Sequence, residues 1–231
     1  MTTISANLQA NLLAVRRRIE EACAAAGREA GEVSLLAVSK TWPAETVAAA
    51  AACGQRRFGE SYVQEAQEKI AGLRPLDLEW HFIGPLQSNK TRPVAGEFAW
   101  VHSVDRQKIA ERLAAQRPAS LPPLNICVEV NVSGETSKGG CLPSEAPSLC
   151  RAIAALPRLR LRGLMAIPEP TADVALQRRR FAQVRELRDR LATAGLELDT
   201  LSMGMSHDLE AAIMEGATIV RVGAAIFGDR K

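Results

Sequence analysis

The chain has 231 residues, 47% of them hydrophobic and 24% charged, which is the balance of a globular protein with enough length for one large core. Its 29 basic and 26 acidic residues leave a net charge of only +3, and three tryptophans, one tyrosine and five phenylalanines are too few for a base-stacking surface. No secretory pattern opens the chain, and no window approaches the ~20 apolar residues of a membrane span. We therefore predict a cytoplasmic protein with no membrane and no nucleic-acid partner.

The five cysteines are an odd number and include no C-x-x-C pair. This pattern predicts reduced thiols in place of a disulfide framework, and it gives no zinc site or other metal site. The residues concerned are Cys23, Cys53, Cys127, Cys141 and Cys150.

The first predicted element is an amphipathic helix over residues 6–26, followed by Gly27. A nearly unbroken apolar run over residues 33–40 comes next and is typical of a strand buried on both faces of a parallel sheet. The run ends in Lys40, whose ammonium group, held partly out of water, is expected to have a lowered pKa and to form an imine with an aldehyde. The simpler interpretation is that Lys40 marks the point where the strand meets water.

A strand followed by a helix then repeats to the end of the chain. Further strands are predicted over residues 57–60, 78–84, 100–104, 124–132, 161–167, 198–203 and 218–222. Helices are predicted over residues 45–53 and 62–73, at a segment that Pro93 begins or interrupts, from a cap at Asp105 to Arg117, and over residues 144–155, 171–194 and 207–216.

The predicted helix over residues 171–194 carries many arginines, which resemble a nucleic-acid patch. Glu186 and Asp189 are interleaved with them, so a solvated helix face is the better interpretation. The apolar stripe that would face the core consists of Val174, Phe181, Val184, Leu187 and Leu191.

Eight strands alternating with helices, without a composition break, indicate one α/β domain over residues 1–231. The length is slightly under the ~250 residues typical of a (β/α)₈ barrel of the TIM type, here with an extra N-terminal helix. The alternative is an open doubly wound sheet, which in its dinucleotide-binding form needs a glycine-rich turn after the first strand. The turn in this chain is Lys40-Thr41-Trp42-Pro43, so we favour the barrel.

In such a barrel, residues that end different strands converge on one opening. The loop over residues 133–140, with two adjacent glycines and a lysine, can wrap a ligand there or serve as a plain surface loop. The strand-end residues are Lys40, Glu60, Ser61, His81, Gly84, Ser103, Asp105, Asn131, Met165, Ser202 to Ser206, Arg221 and Gly223.

The ends of the last two strands carry the strongest signal. The small-residue turn from Ser202 to Asp208 runs into a helix, whose free N–H groups suit a phosphate. Arg221 adds a cation, and Gly223 lets a ligand approach the backbone closely. Each residue has a simpler role available, since Ser206 can cap a helix, Gly223 can turn the chain and Arg221 can pair with a carboxylate. Together with a strand-end lysine, they describe a site for a phosphorylated aldehyde, of which pyridoxal 5′-phosphate (PLP) is the obvious one.

Five motifs resemble those of the pyridoxal phosphate homeostasis proteins. They are AVSK at residues 37–40, FGESYVQE at 58–65, WHFIGPLQSNK at 80–90, LSMGMSHD at 201–208, and RVG at 221–223 with IFG at 226–228. The resemblance implies a barrel like the N-terminal domain of alanine racemase, with Lys40 as the internal aldimine of PLP.

The same resemblance implies roles for individual residues. Arg221 would face the pyridine nitrogen, and Ser206 with the backbone of Gly223 and Ala224 would hold the phosphate. We also predict that Met203, in the turn after strand seven, and Ser61 bind the cofactor. The family usually has asparagine where this chain has Ser61, whose shorter side chain offers a hydroxyl in place of an amide.

Racemisation needs two bases on opposite faces of the substrate carbon. The resemblance to alanine racemase implies Lys40 as one, and as the other a tyrosine from an additional C-terminal domain that we do not find before the chain stops at Lys231. We therefore expect a monomeric PLP carrier in vitamin B6 homeostasis, without turnover of its own, that delivers PLP to apo PLP-dependent enzymes. The alternatives are a small PLP-dependent racemase or related enzyme, and an aldolase that acts on phosphosugars through Lys40 without a cofactor; the aldolase fits the barrel but not the motifs.

Overall fold

The computed structural model describes residues 2–135 and 138–228, with side chains from Asn7 onward. Of the predicted loop over residues 133–140, Thr136 and Ser137 lie outside the described residues. The strands are β1 Ser34–Val38, β2 Arg57–Glu60, β3 Glu79–Phe82, β4 Trp100–Val104, β5 Leu124–Glu129, β6 Leu159–Met165, β7 Thr200–Ser202 and β8 Ile219–Val222.

These strands close into one barrel in the order β1 to β8, with every neighbouring pair parallel. The barrel closes where β1 pairs with β8, with Ala37 opposite Val222. The predicted (β/α)₈ architecture is therefore confirmed. Because all eight strands run the same way, their carboxyl ends share one face of the barrel.

Alternation along the strands divides their side chains between two apolar layers. Side chains such as Ala37, Phe58 and Val220 point outward and pack beneath the helices. The inward side chains form a separate, smaller cluster inside the barrel, made of Leu36, Trp100, Cys127, Met165 and Ile219. The interior is thus filled by side chains, and a ligand can enter only at its ends.

The helices follow the predicted pattern closely. Their bounds are α1 Thr2–Ala25, α2 Ala44–Ala52, α3 Val63–Leu73, α4 Thr91–Glu97, α5 Gln107–Gln116, α6 Ala146–Ala154, α7 Val174–Thr193, α8 Leu209–Met214 and α9 Ala224–Phe227. The four-residue helix α9, directly after β8, was not predicted because it is too short to show a periodic pattern.

The extra N-terminal helix α1 packs over α8 and α9 and joins them by polar contacts. Arg18 Nε donates to Glu210 Oε1 at 2.7 Å, and Arg18 Nη2 donates to the Ser206 carbonyl oxygen at 3.0 Å. The helix therefore supports the turn that follows β7.

Some predicted details were wrong. Asp105 does not cap α5: Arg106 is the N-cap residue, and the Asp105 carboxylate accepts from Arg106 Nη1 at 2.7 Å. Val174 is not in the core stripe of α7, since it is 60% exposed next to Asp173, whose carboxylate caps the helix. For Pro93 two possibilities were open, and the structure has it in the first turn of α4, so it does not interrupt the helix. Proline is tolerated there because N–H groups in the first turn have no acceptor within the helix.

Three of the six arginines of α7 pair with carboxylates on neighbouring elements, which fits a solvated helix face. Arg178 and Arg185 both bind Glu215, and Arg180 binds Glu169 at 2.7 Å. All five cysteines are free thiols. Among the described residues, no helix combines the length and the apolar character needed to cross a bilayer.

Candidate cofactor-binding site

Lys40 lies at the carboxyl end of the barrel, two residues beyond β1, and is half-buried. The ladder extends past the strand, because the Ser39 N–H donates to the Gly59 carbonyl oxygen at 3.0 Å. The Ser39 side chain points outward to Glu60, so alternation puts Lys40 on the side of the barrel axis. The location at the barrel mouth agrees with the prediction, and the lowered pKa of Lys40 stays a prediction.

The backbone on both sides of Lys40 is anchored by one buried lysine. Lys69 Nζ donates to the Ser39 carbonyl oxygen at 2.8 Å, to Glu60 Oε1 at 2.8 Å and to Glu65 Oε1 at 2.6 Å. Glu65 Oε1 also accepts from the Thr41 N–H at 2.5 Å. The residues before and after Lys40 are therefore attached to α3, which fixes the point from which the Lys40 side chain projects.

Glu60 belongs to this anchor and not to the barrel mouth. It is fully buried, it accepts from Ser39 Oγ at 2.7 Å, and burial raises the pKa of its carboxyl group against the opposing effect of Lys69. Lys69 was not predicted as part of the site, although Glu65 and Lys69, four residues apart on α3, form a recognisable helical pair.

Arg221 lies inside the barrel on the strand next to β1. It is 4% exposed, and its Nη1 donates to Ser202 Oγ at 2.7 Å and to the Ser202 carbonyl oxygen at 2.5 Å. Its Nη2 donates to the Ala166 carbonyl oxygen at 3.0 Å. These contacts fix the guanidinium group, so Arg221 provides a directed cation beneath the opening.

Glu129, on β5, has the largest effect of the carboxylates that act on this cation, ahead of Asp208. Burial raises the pKa of Glu129 to about 7, although the Arg221 charge opposes the rise, and burial lowers the pKa of Arg221 to about 10. Glu129 faces the 133–140 loop, since a Cβ on Gly139 would lie 3.4 Å from its Oε1. The site therefore contains a carboxyl group that titrates near neutral pH, which the sequence analysis missed.

The phosphate side of the predicted site is formed by two turns that meet. Gly223 is the N-cap residue of α9, and Ser206 Oγ accepts from the Ala225 N–H at 3.4 Å. In the turn before α8, the Asp208 carboxylate accepts from the Met205 N–H, and Asp208, not Ser206, is the N-cap residue of that helix. The Ser206 hydroxyl and the first N–H groups of α9 thus lie together, as in barrels that bind phosphate with a short extra helix after strand eight.

Gly223 also links this cradle to the strand that carries Lys40. A Cβ on Gly223 would lie 3.3 Å from the Val38 carbonyl oxygen, so the turn after β8 packs directly on the end of β1. Lys40, Arg221, Ser206, Gly223 and Ala224 are therefore gathered at one end of the barrel.

Ser61 and Met203, two further residues predicted to bind the cofactor, are both packed against neighbouring parts of the barrel. Ser61 is half-buried against Gly84, where a Cβ would lie 2.4 Å from the Ser61 carbonyl oxygen. The Met203 side chain is fully buried in the outer hydrophobic layer, and its N–H donates to the Ile219 carbonyl oxygen at 3.1 Å. Contact of either residue with a cofactor stays a prediction, and for Met203 it would have to involve the backbone.

His81 was wrongly collected with the carboxyl ends of the strands. It points into the barrel and toward the amino end, where its Nε2 lies 2.8 Å from Glu79 Oε1. The strand was predicted over residues 78–84 and spans Glu79–Phe82, and His81 is a residue of the strand in both cases. Asn131 holds the following loop, because its Oδ1 accepts from the Gly134 N–H at 3.0 Å.

Known proteins resemble this chain over most of its length. A family model described as alanine racemase, N-terminal domain, matches residues 8–231. The pyridoxal phosphate homeostasis protein of Pseudomonas aeruginosa is 63% identical over 220 residues, which are 95% of this chain and 94% of that protein. The protein of the same description from Escherichia coli K12 is 53% identical over 228 residues and 95% of each chain.

Solved structures agree with the fold. PipY of Synechococcus elongatus, with PLP bound, has a TM-score of 0.83 at 36% identity and covers 96% of this chain and 100% of its own. Alanine racemase from Corynebacterium glutamicum has a TM-score of 0.74 at 16% identity, a likeness of fold alone, and this chain covers 62% of it.

The barrel, the strand-end lysine and the phosphate-type cradle place this chain in the class of barrels typified by the alanine racemase N-terminal domain. Within that class, the chain belongs to the pyridoxal phosphate homeostasis protein family.

Proposed function

We propose that this protein binds PLP reversibly at the carboxyl end of the barrel, with the aldehyde carbon joined to Lys40 Nζ, and that it stores and delivers the cofactor in the cytoplasm. Forming the C=N bond removes the aldehyde oxygen as water, with two hydrogens from the amine, so the bond is reversed by water or by another amine. The observation that carries the proposal is the convergence of Lys40 with Ser206 and Gly223 at one opening.

The donor set fits the chemistry of PLP. The N-terminus of α9 and the Ser206 hydroxyl offer hydrogen bonds to a phosphate, and Gly223 lets it approach the backbone. Arg221 can only donate hydrogen bonds, so it suits an unprotonated pyridine nitrogen, which accepts one. Bound PLP supplies a reactive aldehyde and an electron sink, and a cation at the ring nitrogen disfavours protonation of that nitrogen.

The site favours holding over turnover. The chain's one tyrosine, Tyr62, is 54% exposed just before α3, and we assign it no role as a base. A small PLP-dependent racemase remains the second candidate, because Glu129 has a pKa of about 7 and a proton acceptor near Arg221 suits acid–base chemistry. We propose that the protein works as a monomer whose recipients are apo PLP-dependent enzymes.

The test is whether purified protein acquires the yellow absorbance of an imine on incubation with PLP. We expect wild type to become yellow, and Lys40→Ala to lose this absorbance, because the neighbouring Lys69 donates its ammonium hydrogens to three acceptors. Lys108→Ala, an exposed lysine on α5, is the matched control and should remain yellow. A colourless wild type, or a yellow Lys40→Ala protein, would contradict the proposal.

A second experiment separates a carrier from an enzyme. Loaded protein is mixed with an apo PLP-dependent enzyme, and recovery of that enzyme's activity is compared with its recovery when an excess of a PLP-trapping amine captures cofactor released into solution. Recovery that survives the trap is expected for direct delivery. Lys40-dependent racemisation, transamination or decarboxylation of an amino-acid panel at enzymatic rates would overturn the carrier assignment in favour of the second candidate.

A further inference from the structure

A continuous chain of side-chain hydrogen bonds runs through the barrel from the cofactor end to the opposite end. Arg221 Nη1 lies 2.7 Å from Ser202 Oγ, which lies 2.8 Å from His102 Nδ1. His102 Nε2 lies 2.8 Å from His81 Nδ1, and His81 Nε2 lies 2.8 Å from Glu79 Oε1. The three middle residues are buried, so the chain crosses the barrel interior out of contact with water.

The Glu79 end of this hydrogen-bond chain fixes the direction of its protons when both rings are neutral. Arginine has no acceptor, so Ser202 Oγ accepts from Arg221, and the serine hydrogen is left available for His102 Nδ1. At the other end the Glu79 carboxylate can only accept, so His81 Nε2 must carry a hydrogen. His102 then has its hydrogen on Nε2 and donates to the bare Nδ1 of His81. With both rings neutral, the Glu79 end thus sets the tautomer of each ring, and the Arg221 end is compatible with it because the Ser202 hydroxyl can donate to the bare His102 Nδ1.

The charges around the two rings agree with neutral imidazoles. Burial is the main cause that lowers the pKa of His81, with Arg57 acting in the same direction against Glu79. Burial also lowers the pKa of His102 well below its ordinary value, and the charges of His81 and Arg221 add to the effect. Glu129 and Asp208 in turn act on Arg221. An additional proton on either ring would place a second cation in an interior that already holds Arg221.

We propose that His81 and His102 are positioning residues that, through Ser202, hold the Arg221 guanidinium in the direction needed to face the PLP ring. The proposal rests on the proposed function for the ligand, but not for the hydrogen-bond chain itself. Both neutral rings turn their bare nitrogen toward Arg221 and their N–H toward Glu79. Their aligned dipoles therefore stabilise the buried cation at one end and the carboxylate at the other.

The Glu79 end of the hydrogen-bond chain is held in place by contacts of its own, and it supplies the acceptor that the chain requires. Glu79 is held by Arg57 Nε at 3.1 Å, and contact with His81 is the main cause that lowers the pKa of Glu79. The His81 ring stacks on Trp100, with ring centroids 5.4 Å apart and planes 5° from parallel. The terminal ring can therefore neither rotate nor lose its acceptor without disturbing its neighbours.

The first test uses the protein without cofactor. In protein labelled with ¹⁵N-histidine, long-range ¹H–¹⁵N spectra distinguish protonated from bare ring nitrogens. We expect His81 and His102 to show a protonated Nε2 and a bare Nδ1, unchanged from about pH 5 to about pH 8. Exposed His207 is the reference for an imidazole in contact with solvent. A hydrogen on His102 Nδ1, or a doubly protonated ring, would overturn the proposal.

The second test measures whether the hydrogen-bond chain affects the retention of PLP. Ser202→Ala removes the link between His102 and Arg221, and we expect about five- to tenfold weaker PLP retention with a shift in the pH at which the bound absorbance changes. Thr200→Ala is the matched control, because Thr200 lies on the same strand and its hydroxyl binds Asp199, outside the chain. Unchanged retention and pH midpoint in Ser202→Ala, or equal changes in Thr200→Ala, would contradict the proposal.

The outcome of these two tests is independent of the outcome for the proposed function. A wild-type protein that becomes yellow through Lys40 but has the wrong His102 tautomer keeps the function and loses the positioning role. A colourless protein with the expected tautomers loses the function and keeps the hydrogen-bond chain. If Ser202→Ala does not fold, the spectra of wild type still decide.

Discussion

The two ends of the barrel use polar residues in opposite ways. At the amino end the charges are paired across neighbouring strands: Arg162 binds Asp199 at 2.8 Å and lies 4.7 Å above the Trp100 ring, and Arg57 binds Glu79. At the carboxyl end, Arg221 makes its hydrogen bonds to backbone oxygens and one hydroxyl, and its charge is opposed at longer range by Glu129 and Asp208. The difference separates an end that stabilises the fold from an end with charge available for a ligand.

The largest effect expected from this comparison is on folding, at Gly163→Ala. Gly163 lies on β6 opposite Thr200, and a Cβ there would fall 1.7 Å from the Thr200 carbonyl oxygen, which cannot move without breaking the ladder. We expect the free energy of unfolding to fall by about 3 kcal/mol, measured by chemical denaturation. Gly72→Ala, on α3 with nothing within 4 Å of the added Cβ, is the control and should be neutral or slightly stabilising. Equal stabilities of the two variants would contradict the close approach.

Gly223→Ala, at the carboxyl end, should weaken PLP binding with only a small loss of stability. The added Cβ would lie 3.3 Å from the Val38 carbonyl oxygen, so β1 and the turn must separate slightly, which moves the Ala225 N–H relative to Ser206. We expect about tenfold weaker PLP binding, equivalent to about 1.4 kcal/mol, with less than about 1 kcal/mol lost in stability. Spectroscopic titration and chemical denaturation measure the two effects. A large loss of stability with unchanged affinity would make this glycine a folding residue.

A smaller, pH-dependent effect is expected at Glu129. Because its folded pKa is raised to about 7, the unfolded chain ionises Glu129 at lower pH than the folded protein does. Its contribution to stability is therefore present below the unfolded pKa, falls as the pH rises toward 7, and stays lost above it. Glu129→Gln should reduce the fall in unfolding free energy between pH 5 and pH 8, measured by denaturation at both values. Exposed Glu111→Gln is the control, and an unchanged pH dependence in Glu129→Gln would contradict the assignment.

The smallest effect is expected at the amino-end ion pair. Asp199→Asn removes the charge that balances Arg162, but the aspartate side chain is largely exposed, so water screens the loss. We expect less than about 1 kcal/mol in stability and no change in PLP affinity. A double-mutant cycle with Arg162→Gln measures the pair. A marked loss of PLP affinity would show that the Arg162–Asp199 pair also acts on the cofactor end, which contradicts a purely stabilising role.

The sequence was sufficient for the barrel and for the residues that directly follow strands. Lys40, Arg221, Ser206 and Gly223 could be placed at one end because an apolar run shows where a strand stops and a parallel barrel brings such stops together. The pattern does not show which side of the backbone a strand-end residue takes. Glu60 was therefore collected with the mouth although it points outward to Lys69.

Contacts between distant strands left no signal in the sequence. His102 and Ser202 are 100 residues apart, and their contact depends on the inward alternation of two strands that are not neighbours in the barrel. The sequence also does not show toward which end of the barrel an inward side chain extends, as His81 illustrates. The raised pKa of Glu129 depends on burial inside the closed barrel, which composition and spacing do not indicate.

The bonds of Lys69 bear on chemical selectivity at the barrel mouth. An ammonium group has three hydrogens, and Lys69 directs its Nζ to three acceptors, two of them carboxylate oxygens. Attack on an aldehyde needs the neutral amine, whose lone pair would then face those oxygens. The fold therefore places Lys40 and Lys69 near the same strand end, and the contacts of Lys69 keep its amine from reacting with carbonyl groups. A reactive aldehyde can then be bound at the site without also reacting with this neighbouring amine.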